Sequence, residues 1–311
     1  LLADLVRRPN LDEATFEPAR ALVLQDLASL EDEPARKCNL LLREQFYPRP
    51  LGRNPYGSPE TLQACTPETV RAHVGQHWRP DGAILAAAGE VDWPAFRDQA
   101  AELLGDWTAP ERPPLTPQPG GGGQRHIAKD SAQTHIALAQ ASVPLGDDRY
   151  YAARMAAMVL SGGMSSRLFT HVREERGLAY HVSCRYHSLK DHAGLFTYAG
   201  TRPDLAQQTY DVTVGELRRL AEGIEPDEMA RAAVQLKSAL VMQGESTSRR
   251  AAALAGDWYH LGRLRALEEI AGAIDAVTVD DVLGYLRDCP AEHFTTLVIG
   301  PAAVDTGENG S

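Results

Sequence analysis

The stretch "SGGMSSRLFTHVREERGLAYHV", residues 161–182, decides how the rest of this chain is read. Gly162 and Gly163 end one helical pattern, and Ser165 or Ser166 can cap the next, "SRLFTHVREER". Gly177 stops that helix. "AYHVSCRYHS" (179–188) then alternates as a strand, with Tyr180, Val182, Cys184 and Tyr186 on one face. Arg173 near the helix end and Tyr180 at the strand start therefore stand seven positions apart around a glycine turn, which neither an ordinary helix nor an ordinary strand requires. A guanidinium and a phenol are both strong donors, suited to carbonyl oxygens and developing oxyanions. The plain alternative is a surface arginine and a core tyrosine.

Upstream of this stretch, "QTHIALAQASV" (133–143) alternates as a strand and "DRYYAARMAAMVLSG" (148–162) is an apolar helix ending in the glycine pair. Downstream, residues 203–287 read as helices, with "IEPDEMARAAVQLKSAL" and "VTVDDVLGYL" as capped pieces, and "FTTLVIG" (294–300) as a closing strand. Further upstream, "TAPERPPLTPQPGGGGQ" holds five prolines and then four glycines, which fit no helix or central strand. This linker, 108–123, divides the chain into a segment 1–107 and a segment 124–311. In the first segment, "FEPARALVLQDLASLEDE" has Leu22, Val23, Leu27 and Leu30 at helical spacing, "YPRPLGRNPYGSPE" is a loop, "TPETVRAHVGQHW" is a capped helix, and "GAILAAAGEVD" reads as a buried strand. The recurring order of strands and helices predicts an α+β fold in two related halves, each an antiparallel-rich sheet flanked by helices. The first half is expected to lack its N-terminal portion, because the chain opens at Leu1 already within helix.

Composition narrows the function. With 311 residues and 43% hydrophobic content the chain can bury two cores. A net charge of −11 argues against a nucleic-acid partner, and no window is apolar enough for a membrane span. The chain thus reads as soluble, with the compartment left open. Cys38, Cys65, Cys184 and Cys289 lie far apart without CxxC spacing and read as isolated thiols.

Other constellations carry little chemistry. His73 and His77, four apart on one helix, have the spacing of a zinc pair, but Val74, Gly75 and Gln76 between them supply no general base. His181, His187 and His192 share no motif with a carboxylate. "SGGMSSRLF" places glycines before a helix N-terminus but has no P-loop lysine. No GxSxG elbow occurs.

Taken together, "ALVLQDLASLEDEP", "FYPRPLGRNPYGSPETL", "HWRPDGAILAAAGEVD", "SGGMSSRLFTHVREERGLAYHV" and "EPDEMARAAVQLKSAL" resemble, in order and over nearly the whole chain, the M16 zinc metallopeptidases, the pitrilysin and mitochondrial-processing-peptidase group. The family's zinc is held by the two histidines of an HxxEH motif, whose glutamate activates water, and by a further glutamate on a later helix. No HxxEH occurs in this sequence. The position resembling the later ligand is Asp26, with Ala19 where the family has another glutamate seven residues earlier. Shortening the side chain by one carbon–carbon bond moves the carboxylate by about 1.5 Å, whereas zinc ligation tolerates about 0.2 Å. Asp26 is therefore read as a degenerate ligand position.

The resemblance gives Arg173 and Tyr180 the role of the family's arginine and tyrosine, which hold the substrate backbone and support the reacting carbonyl. The Gly162–Gly163–Ser165 loop resembles, in much shorter form, the glycine-rich loop of the non-catalytic processing-peptidase subunit. Three readings follow. In the first, the chain is the non-catalytic partner of a zinc-bearing homologue in a heterodimer, or pairs as a homodimer. It then acts on a peptide substrate and holds no cofactor itself, the zinc lying in the partner. In the second it is a complete zinc peptidase whose HxxEH precedes residue 1. In the third it is a structural subunit with no proteolytic role.

Overall fold

A computed structural model describes residues 1–109, 111, 116 and 118–307. Residues 110, 112–115 and 117 of the expected linker lie outside the described residues. Six helices come first: α1 (Leu2–Arg7), α2 (Glu13–Ser29), α3 (Pro34–Phe46), α4 (Pro59–Gln63), α5 (Pro67–His77) and α6 (Trp93–Leu104). Strands β1 (Gln124–Ala128) and β2 (Thr134–Ser142), helix α7 (Tyr150–Ser161), and strands β3 (Ala179–Ser188) and β4 (Ala193–Thr201) follow. Helices α8 (Ala206–Arg219), α9 (Pro226–Gly244), α10 (Thr247–Leu261), α11 (Leu267–Asp275) and α12 (Val279–Asp288) then lead to β5 (Thr295–Gly300).

The fold is α+β: one five-stranded sheet with helices on both faces. Its order is β1-β5-β2-β4-β3, with β1 and β5 parallel and the other pairs antiparallel. The alternation along β2 sorts its side chains into two cores. Ile136 and Leu138 join α7, α8, α9 and α12, while Ala137 and Ala139 join Cys38 and Leu42 of α3, together with Tyr47. Strand β2 is thus buried on both faces, and the sheet is a middle layer. Each fully buried Leu or Ile in these cores contributes roughly 1.5–3 kcal/mol. Helix α3, from the first segment, lies against β2 and β5 of the second segment's sheet.

Among the described residues all five strands lie within 124–300, so the first segment, 1–107, has no sheet of its own where one in each half is expected. Residues 82–89, "GAILAAAG", form no strand, and Ile84 and Leu85 remain 37% and 46% exposed. An apolar run becomes a strand only where a neighbour takes up its backbone N–H and C=O groups, and among the described residues no strand pairs with this one. Helices α2, α5 and α6 likewise present no buried side chain. No helix among the described residues is long and apolar enough to cross a membrane.

Candidate functional site

The helix that carries Arg173 is pinned at its start. Arg167 donates from Nε and Nη2 to the Glu228 carboxylate of α9 at 2.7 and 2.6 Å, and from Nη2 to the Gly223 carbonyl at 2.7 Å. Both side chains are largely buried. The hydrogen bond with Arg167 holds the Glu228 carboxyl below the usual range, and its counterpart raises the guanidinium. Ser166 stands just before this helix, but its Oγ donates back to the Gly163 carbonyl at 2.6 Å instead of capping an N–H.

Further along, the helix widens into a π-turn over Phe169–Glu174, with the Glu175 N–H reaching the Thr170 carbonyl at 2.9 Å. Single π-turns inside helices are frequent at functional sites. The closure is a glycine cap widened by one residue: Gly177 N–H to Arg173 O at 3.1 Å and Leu178 N–H to Val172 O at 2.9 Å, with Gly177 at φ +60°. Val172 and Leu178 are buried by this turn, while Arg173 is left on the surface. Its guanidinium lies 4.9 Å from the centre of the Phe169 ring. No carboxylate among the described residues pairs with it.

Strand β3 begins with an irregularity that its sequence does not announce. Ala179 pairs with Thr201 and His181 with Gly200, so Tyr180 is the extra residue of a β-bulge. The bulge resets the alternation: Ala179, Val182 and Cys184 face the core, and Tyr180 is thrown outward with 58% of its surface exposed. Tyr180 therefore does not share a face with Val182, Cys184 and Tyr186, as plain alternation predicts. Bulges commonly re-aim a side chain next to active sites. Strand β3 is also an edge of the sheet.

A third donor, which sequence reading missed, adjoins this end of the ladder. Arg202 follows Thr201, the residue paired with Ala179, and its guanidinium grips Asp204 at 3.0 and 2.5 Å. That grip, together with the nearby charge of Asp204 and a smaller contribution from Tyr180, raises Arg202. The only sequence signal was an Arg-Pro-Asp following a strand, and its closeness to Tyr180 depends on the β3–β4 register.

The other expected residues lie elsewhere. Gly162 and Gly163 pack beneath Gln235 of α9: a Cβ on Gly162 would sit 2.1 Å from Gln235 Oε1 and 2.5 Å from the Met158 carbonyl. Ser165 is exposed beside Met164, and the crevice beneath the turn holds only about 20 Å³. Asp26 and Ala19 are exposed on α2. Among the described residues no three His, Cys, Asp or Glu side chains converge as metal ligands, so the donors on this chain do not fit a zinc site around Asp26. His73 and His77 stack on α5 with ring centres 4.5 Å apart. His181 leans on Tyr198, and His187 is enclosed by Tyr47, Phe196 and Arg43. The four cysteines are free, Cys38 and Cys184 buried and Cys65 and Cys289 partly so.

Residues 64–236 match the family model described as the peptidase M16 inactive domain. The chain is 30% identical over 308 residues to an uncharacterized zinc protease of Rickettsia felis, an alignment covering 97% of this chain and 74% of that relative. It is 31% identical over 314 residues to an uncharacterized zinc protease of Streptomyces coelicolor, covering 97% and 68%. In fold it is similar to the solved peptidase M16 inactive domain from Pseudomonas fluorescens, with a TM-score of 0.84 at 19% identity over 98% of this chain and 74% of that one.

Proposed function

The chain belongs to the M16 peptidase family, and on that premise we propose that it is the substrate-holding, non-catalytic subunit of a zinc-dependent peptidase. Arg173 and Tyr180 hold the backbone of an extended peptide and support its reacting carbonyl. A homologous partner supplies zinc and general base. One observation carries this reading: the bulge turns Tyr180 out of the sheet, while Arg173 stands exposed at the preceding helix end, paired with no carboxylate among the described residues. Buried or paired, either group would be spent on structure. Exposed, both remain free to donate to a carbonyl or an oxyanion. On the same reading, residues 1–107 and 124–311 are the two family halves, and the exposed Ser165 end of the Gly162–Gly163 turn offers the peptide a further polar contact.

The experiment mixes this chain with a zinc-bearing M16 homologue from the same source and follows cleavage of a peptide library. Activity in the mixture that neither chain shows alone is the expected outcome. A second reading, a complete zinc peptidase, is favoured by the names and greater lengths of the relatives. Metal analysis separates the two. Stoichiometric zinc on this chain, lost in Asp26→Ala, supports the second reading and overturns the first.

A further inference from the structure

Between α7, α9 and α11, away from the Arg173–Tyr180 turn in sequence, lies a pocket of about 120 Å³. Its polar wall is made almost wholly of donors. Arg154 donates from Nη1 to the Tyr150 hydroxyl at 2.8 Å and lies 5.7 and 5.8 Å from the ring centres of Tyr150 and Tyr186. Arg265 donates to the Tyr151 hydroxyl at 2.9 Å and is locked by Asp257 through contacts of 3.1 and 2.6 Å. Each of the two phenol oxygens accepts a hydrogen bond from an arginine, so each keeps its own proton to donate. Burial pushes the Tyr151 phenol up, which keeps that proton in place.

The charges do not cancel. Asp257 neutralises Arg265, but among the described residues no carboxylate pairs with Arg154. Glu269, whose charge reaches Tyr151, is engaged by Arg263. A partly buried guanidinium against two aromatic rings, beside two free phenolic protons, is a site for an anion. The opposite wall is aliphatic, formed by Leu236, Ile270 and Ile274, which suits a hydrocarbon body and not a fully hydrated inorganic ion. We propose that this pocket binds a small aliphatic carboxylate, its carboxylate on Arg154, Tyr150 and Tyr151 and its chain on the aliphatic wall. The volume equals about four water molecules at roughly 30 Å³ each, which restricts the ligand to a short chain.

The test is calorimetric titration of the full chain with sodium butyrate at pH 7 and constant ionic strength, with butyramide and inorganic phosphate as controls. Saturable one-to-one butyrate binding is expected, at least about 10-fold weaker in Arg154→Gln, since a charge-assisted hydrogen bond is lost. Tyr151→Phe, which keeps the ring, should weaken it in the same direction, and a melting curve for each variant establishes that it is folded. Three results overturn the proposal: no saturable binding to the wild-type chain, butyramide or phosphate binding as tightly as butyrate, or butyrate binding unchanged in both variants. None of these outcomes depends on peptidase activity.

Discussion

Tyr180→Phe removes one hydroxyl and leaves the ring, and because Tyr180 is turned outward the loss should fall on catalysis and not on folding. In the assembled peptidase, kcat should drop by roughly 10²–10³-fold, as when one oxyanion donor is removed, with the melting temperature of the chain unchanged. Arg173→Ala should also raise KM, because a charged donor to a backbone carbonyl acts in the ground state too. Steady-state kinetics of both variants checks this, and unchanged constants in both would leave the pair without a role. At this scale the sequence was half legible. The spacing of Arg173, Gly177 and Tyr180 could be read, because a left-handed cap at a helix end leaves a glycine as its mark. The bulge could not, since it arises from the register of β3 on β4 and Tyr180 carries no local signal of it.

At the scale of elements, the turn between Arg173 and Tyr180 depends on Gly177. Its φ of +60° is the left-handed region, and no neighbouring atom would meet an added Cβ. Gly177→Ala should therefore cost only the backbone strain, about 1–2 kcal/mol, readable as a lowered midpoint in urea unfolding. A second element-level prediction concerns the contact of α3 with β3. Arg43 Nη2 donates to His187 Nε2 at 2.9 Å, and the Tyr47 hydroxyl meets His187 Nδ1 at 2.7 Å. That arrangement suits a neutral ring, and burial, with the Arg43 charge beside it, pushes His187 down to about 4 from 6.5. A histidine depressed in the fold contributes stability that is present above its unfolded value and is lost as pH falls towards the folded one. Thermal stability should thus decline from about pH 6.5 to about pH 4, more shallowly in His187→Gln. Burial lowers His135 in the same direction, so some slope should survive that substitution. Equal slopes in wild type and variant would remove His187 from the account. Helices α2, α5 and α7 to α12 and strands β2, β3 and β5 were legible from periodicity, whereas α3, α4, α6, β1 and β4 were not. The fate of the run at 82–89 was not legible either: among the described residues no strand pairs with it, and a strand's identity lies in its neighbour.

For the whole molecule, the sheet order places the last strand, β5, between β1 and β2 and brings α3 from the first segment onto the sheet of the second. Neither closure is written in local periodicity, since both depend on contacts between residues far apart in sequence, such as the pairing of His135 with Ile299. The α+β class was nonetheless legible from the order of patterns, and the family from the run 161–182 with its companions. The Asp26 position belongs to this scale as well: a ligand shell must be assembled from several elements, and Asp26 stands exposed on α2. The central claim is that this chain completes a peptidase by lending it donors. It is tested most directly by the rate of peptide cleavage when the chain, wild type or the Arg173→Ala/Tyr180→Phe double variant, is added to a zinc-bearing M16 homologue. Cleavage with the wild-type chain is expected, with a loss of at least about 100-fold for the double variant at equal binding to the homologue. Equal rates with both chains would contradict it.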